Sequence, residues 1–289
     1  DKAYNVNGWS NAAYKLESAI SVDGKNLNKD AAAREKMKRA IVKYGAVTFS
    51  YNNVREAYYY NPSKESGSSP HACTIIGWDD TIPAENFYPS KTTTDGGWLV
   101  KNSYSSLPYF YLSYEVTCEQ IYAFDYVMND KYDNNYFYDA SATDSGIGSL
   151  LKIKQAANVF KVKGDTENEW IKAVSVGIVG GNTDCTVEVY SDVQDGSFNP
   201  QNAKLETTKT VYLEYGGFNC IELDKPVEVK KGSTFAVVVK VNNAYITLSE
   251  NEGESYVYRG GWTPSQAVRI KVFTKNDEKN QMGRYGNCI

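Results

Sequence analysis

Apolar residues between Asp30 and Tyr44 return at helical spacing, with Ala33, Met37, Ala40, Ile41 and Tyr44 on one stripe. Asn28 or Asp30 can cap the start of this helix and Gly45 ends it. Ala46 to Tyr51 then alternates as a strand. The polar run Asn61 to Pro70 predicts a loop. Ala72 to Trp78 is apolar enough for a buried strand, Trp98 to Asn102 makes a second, and Tyr109 to Glu115 a third. Asp80 to Gly96, between the first two, is expected to be loop.

After Tyr126 the texture changes. Asn129 to Asp144 is dense in Asn, Asp and Tyr, as a linker would be, and beyond it the helical period is almost gone. Trp170, Val174, Val176 and Ile178 fall on one strand face, with Lys172 as an exception. Cys185, Val187 and Val189 form another such face, as do Phe235, Val237, Val239 and Val241. Val268, Ile270 and Val272 complete the set, with Arg269 and Lys271 expected to point away. Seven or eight strands of this kind across about 130 residues predict an antiparallel β-sandwich. The fold class expected is α+β: a β-rich lobe with one main helix over residues 1–128, the sandwich over 129–275, and a tail or linker from 276 to 289.

Composition narrows the function classes. There are 31 basic and 35 acidic side chains, giving a formal charge of -4 and no cluster of Lys and Arg. Nucleic acid affinity depends on such a cluster, so a nucleic acid partner is not expected. No apolar run approaches the roughly 20 residues needed to cross a bilayer. Asp1 opens a polar segment without a signal peptide, as in a processed or trimmed chain. The 24 tyrosines suit wet, partly exposed β-surfaces and point to a secreted or cell-surface protein.

Candidate chemistry centres on His71, the only histidine, and on Asn102, which lies 31 residues later at the end of an apolar strand. A catalytic imidazole needs a neighbour that fixes its tautomer and aims it. An asparagine amide held rigidly on an adjacent strand supplies this, and Trp98 and Tyr104 are expected to shield the bond from water. No nucleophile is obvious. Cys73 shares a strand face with His71, but its apolar surroundings suit a small core residue better than an activated thiolate. Cys118 packs or bridges to another chain, Cys185 and Cys220 form a buried thiol pair or a disulfide, and Cys288 lies in the tail. No spacing of Cys and His suggests zinc.

The segments PHACTIIGWDD (70–80) and GGWLVKNSYSSLPYFYLSYE (96–115) resemble the histidine and asparagine motifs of papain-like cysteine peptidases. KRAIVKYGAVTFSY (38–51) is similar to the stretch that precedes the histidine in that family. The likeness spans roughly residues 1–126. It implies that His71 is the base, Asn102 its orienter, Ala72 a residue of the non-primed substrate groove, and Tyr104 a residue on the leaving-group side. Two features depart from the family: Tyr104 stands where tryptophan is usual, and the lobe carrying the cysteine and the oxyanion-hole glutamine is missing. Asp133 to Asp139 and Ala157 to Val162 resemble the lectin-like sandwich of bacterial surface enzymes of this type.

These resemblances imply the His/Asn-bearing chain of a secreted papain-like endopeptidase, active with a separate cysteine-bearing chain of the same precursor on peptide or protein substrates. Such a chain alone is expected to expose a large apolar patch around His71. The competing reading is a non-catalytic surface-binding protein with a degenerate peptidase lobe; a third is a chain from which the first lobe was simply removed. Glycan contact through exposed Tyr, Trp and Asn is an expectation for the sandwich, though sugar binding does not follow from the fold. No cofactor is required. The acidic loop Ser191 to Gly196 suggests Ca²⁺, against an ordinary solvated turn.

Overall fold

The computed structural model describes residues 12–22, 24, 26–53, 58–61, 69–89, 92–139, 151–194 and 198–276. Two compact units emerge: residues 19–125, and the residues before 19 together with those from 126 onward. The first strand, β1 (Tyr14–Ser21), is followed by α1 (Ala31–Tyr44). The Asp30 carboxylate accepts the Ala32 N–H at 2.9 Å, and Gly45, at φ 80°, closes the helix by donating its N–H to the Ile41 carbonyl. Only glycine adopts that left-handed conformation without strain. Both helix boundaries match the sequence expectation.

The remaining strands of the 19–125 unit are β2 (Val47–Asn53), β3 (Tyr59–Asn61), β4 (Ser69–Asp79), β5 (Tyr88–Pro89), β6 (Gly97–Lys101), β7 (Tyr109–Ser113) and β8 (Glu119–Met128). They lie in the order β5-β3-β7-β6-β4-β2-β8. β3 runs parallel to β5 and β7, and the other pairs are antiparallel. Met37, Phe49, Ile75, Trp98, Val100, Phe110 and Leu112 are fully or almost fully buried. The stretch 80–96, expected to be loop, holds a short 3-10 turn (Ala84–Asn86) as well as β5. Most of the loop expected at 61–70 lies outside the described residues, and β4 already begins at Ser69.

A buried cation ties α1 to the end of β4. Lys38 donates to Asp80 at 2.8 and 2.9 Å and to Glu35 at 2.7 Å, and Tyr114 donates its hydroxyl to Asp80 at 2.7 Å. Burial works against both charges, but the bonds from Lys38 and Tyr114 outweigh it and hold the Asp80 carboxyl below its usual range. Burial of Lys38 is likewise outweighed, here by its bonds to Asp80 and Glu35, which raise its ammonium.

The second unit contains β9 (Asn134–Tyr136), β10 (Gln155–Lys161), β11 (Asn168–Val179), β12 (Thr183–Ser191), β13 (Lys204–Leu213), β14 (Gly216–Lys230), β15 (Thr234–Val241), β16 (Tyr245–Ile246), β17 (Ser255–Tyr258), β18 (Trp262–Ser265) and β19 (Ile270–Lys275). One sheet runs β14-β11-β19-β9, with β16 also on β11; the other runs β13-β12-β15-β10-β17-β18. Val174, Val176, Cys185, Val187, Phe235, Val237, Val239, Val268, Ile270 and Val272 form their common core, as the alternation predicts. The β11 expectation needs correction. A bulge between Ile171 and Ala173 shifts the register, so Ile171 rather than Trp170 enters the core and the exception at Lys172 disappears. Arg269 is buried instead of solvated, with its guanidinium 5.4 Å from the Phe218 ring centre. The expected linker also contributes a strand, since β9 pairs with β19.

A buried polar pair links the two layers of the sandwich. Asn158 is fully buried, donates to the Val268 and Ile270 carbonyls at 2.9 and 3.3 Å, and accepts the Ser255 hydroxyl at 2.7 Å. The amide thereby joins a strand of one sheet to the chain of the other, which is the pairing a buried amide requires. Cys118, Cys185 and Cys220 are free thiols, so Cys185 and Cys220 form no disulfide; Cys288 lies outside the described residues.

Candidate active site

His71 sits on β4, opposite Tyr51 of β2, and Asn102 follows the last residue of β6. Because β4 and β6 are paired antiparallel, the two side chains meet although they are 31 residues apart. His71 Nε2 lies 3.0 Å from Asn102 Oδ1. The roles in this bond follow from its neighbours. The backbone N–H of Ser103 reaches Oδ1 at 2.8 Å, and Asn102 Nδ2 donates to the Leu107 carbonyl at 3.1 Å. A backbone N–H can only donate, so the atom it meets is the amide oxygen, and His71 must then donate from Nε2. In the neutral ring the lone pair falls to Nδ1. This is the tautomer of a base whose other nitrogen is held by an orienting group.

The surroundings hold both side chains in place. Tyr104 stacks on the imidazole, with centroids 5.1 Å apart and planes within 3°. It covers the ring while remaining 51% exposed itself. Tyr51 meets the same imidazole edge-on at 5.8 Å. Trp98, expected to share the shielding, instead packs against Tyr114 at 4.7 Å. Asn102 is 8% exposed, and its backbone N–H bonds the Pro108 carbonyl at 2.8 Å, so the loop 103–108 closes on the amide. Ala72 is exposed and, by strand alternation, leaves β4 on the face opposite His71. His71, Asn102 and Tyr104 are thus brought together, and Ala72 stands on the other face of β4.

Cys73 has a role other than those considered from sequence. It is 7% exposed and directs its Sγ toward Asn102 Oδ1 at 3.5 Å. Its place two residues from His71 was the signal, because i and i+2 share a strand face. Burial pushes the Cys118 and Cys185 thiols up to about 12, and Cys220 higher still, so none of the three is an activated thiolate.

Tyr58, Tyr104 and Tyr109 are exposed, and of these Tyr104 stacks on the His71 ring. In the second unit, an open cleft of about 390 Å³ is lined by Asn134, Tyr136, Phe137, Phe160, Lys161 and Glu254, among others. Of the acidic loop, Ser191 bonds Glu206, and residues 195–197 lie outside the described residues. Among the described residues no three His, Cys, Asp or Glu side chains gather as metal ligands.

Among curated proteins none matches this sequence. Residues 136–275 match the family described as a lectin like domain. A solved structure of the cysteine protease and lectin-like domains of Cwp84, a surface layer associated protein of Clostridium difficile, superposes with a TM-score of 0.69 at 21% identity, over 92% of this chain and 64% of that one. A cysteine-to-alanine variant of the clostridial cysteine protease Cwp84, after propeptide cleavage, gives 0.69 at 22% identity, over 91% of this chain and 71% of that one. This chain therefore spans about two thirds of the length of the structures it matches, and at such identity the likeness is one of fold. In fold, the chain is similar to the cysteine protease and lectin-like domains of Cwp84: a β-rich lobe with one main helix, followed by a lectin-like β-sandwich.

Proposed function

We propose that this chain is the base-bearing part of a papain-like cysteine endopeptidase at the cell surface, with the nucleophile supplied by a separate cysteine-bearing chain of the same precursor. The observation that carries this reading is the His71–Asn102 bond, whose direction is set by the Ser103 N–H. The cysteine protease and surface-layer association named for Cwp84 support it. The propeptide cleavage named for the second structure supports a processed precursor.

The chemistry then follows from the tautomer. His71 Nδ1 accepts the proton of the partner's thiol, giving a thiolate–imidazolium pair. The thiolate attacks the peptide carbonyl, and the carbonyl π-electrons move to oxygen. Collapse of that intermediate expels the amine, which takes the proton from Nδ1, and leaves an acyl-enzyme. Water, losing a proton to Nδ1, hydrolyses the thioester and returns the thiol. Throughout, Asn102 keeps Nε2–H engaged, so the ring neither flips nor changes tautomer.

A thiol-directed peptidyl inhibitor added to the natively purified protein tests this. Labelling of a co-purifying polypeptide, lost in His71→Ala, is the expected result. Absence of any second polypeptide and of any label would replace the peptidase reading with a non-catalytic surface-binding one, which the tyrosine at position 104 favours.

A further inference from the structure

We infer that the Cys73 thiol is a positioning residue: it anchors the Asn102 carbonyl from its buried side and so keeps the His71 imidazole in one tautomer. Its consequence for catalysis rests on the peptidase reading, but the geometry does not. Asn102 Oδ1 receives His71 Nε2 at 3.0 Å, the Ser103 N–H at 2.8 Å and Cys73 Sγ at 3.5 Å. The first two donors come from residues that water reaches, since His71 is half-buried and Ser103 exposed. Cys73 approaches from inside, next to Phe49, its cross-strand partner, which is 2% exposed and stacked on Tyr51. Water can replace the outer donors whenever the loop 103–108 loosens, but it cannot replace the inner one. A thiol is a weak donor, yet in a water-excluded position a weak donor still decides between two amide orientations. Turning the amide by 180° would set its NH₂ against the Ser103 N–H and withdraw the oxygen from both β4 side chains. One strand thus delivers two donors, two residues apart, to one oxygen.

The single histidine makes the test direct, because ¹⁵N-histidine labelling of the full chain yields one imidazole. Two variants separate donation from packing. Cys73→Val keeps an apolar side chain of similar size and removes the donor; Cys73→Ser keeps a donor and gives up apolar volume. In Cys73→Val the Nε2–H proton is expected to exchange roughly two- to five-fold faster with solvent, the factor that a bond of about 0.5–1 kcal/mol is worth, and the Nδ1–H tautomer to become detectable. Cys73→Ser should keep the wild-type tautomer and exchange rate, with both variants folded by circular dichroism. A purely packing role predicts the reverse order, with valine silent and serine disruptive. That order, or no change in either variant, overturns the proposal. None of these readings requires proteolytic activity, so they stand or fall apart from the peptidase assignment.

Discussion

Replacing Asn102 with alanine should separate catalysis from stability, and the structure says by how much. Three of the side chain's bonds to described residues are firm: from Ser103 N–H at 2.8 Å, from His71 Nε2 at 3.0 Å, and to the Leu107 carbonyl at 3.1 Å. At about 1 kcal/mol net for each neutral bond, their loss sets a ceiling of about 3 kcal/mol. The penalty for orphaning buried partners adds little to it, because Ser103 is exposed and His71 and Leu107 are half-buried, so water takes over, while the buried Cys73 thiol is only a weak donor. The expected cost is therefore about 1–2 kcal/mol, read as a lower urea midpoint with an unchanged slope. The imidazole, by contrast, loses the acceptor that fixes its tautomer. Positioned acid–base catalysis is worth about 10²–10⁴ in rate. In the presence of the cysteine-bearing chain, turnover should fall at least about 100-fold, in kcat rather than KM. Turnover within about threefold of wild type would refute the base-and-orienter assignment. A stability loss above about 4 kcal/mol would make Asn102 an architectural residue.

Asn158→Ala should cost more, about 3–4 kcal/mol, because its partner Ser255 is buried and its hydroxyl is left without an acceptor; combining it with Ser255→Ala should cost less than the sum of the two single changes, as a double-mutant cycle in urea would measure. The bonds of Asp80 hold its carboxyl below the usual range, so the stability it contributes is present above about pH 4 and is lost as pH falls through the lowered value. The protection of the α1 amides relative to their intrinsic exchange rates should accordingly fall on acidification, and Asp80→Asn should flatten that response. With burial holding the Cys118 and Cys185 thiols near 12, iodoacetamide at pH 8 should leave both unmodified in the folded chain and alkylate them only in denaturant; rapid native alkylation of either, read by mass spectrometry, would contradict their burial.

Local signals were enough for much of the fold. The α1 boundaries were legible because an N-capping carboxylate and a left-handed glycine act within one turn of themselves. The Cys185–Val189 and Phe235–Val241 faces were legible because alternation is a property of one strand. His71 and Asn102 could be paired as residues of neighbouring strands, and Tyr104 could be placed beside them. What alternation cannot reveal is what lies opposite. Ile171 reached the core only because a bulge slipped β11 by one residue, and a bulge is set by the partner strands β14 and β19. β9 looked like linker because its pairing partner lies more than 130 residues away. Arg269, expected to point away, is buried beside the Phe218 ring, and Lys38 is buried against Asp80, because both partners come from distant segments.

The same division runs through the site. Sequence alone determined that one histidine and one asparagine stand on neighbouring apolar strands, the pair on which the peptidase reading rests. Tertiary structure alone decided that the Ser103 N–H assigns the amide oxygen, that Nε2 therefore holds the proton, and that Cys73 is a third donor to that oxygen. Hydrogen-bond direction depends on which donors converge on a single atom, and that convergence exists only once the strands are paired.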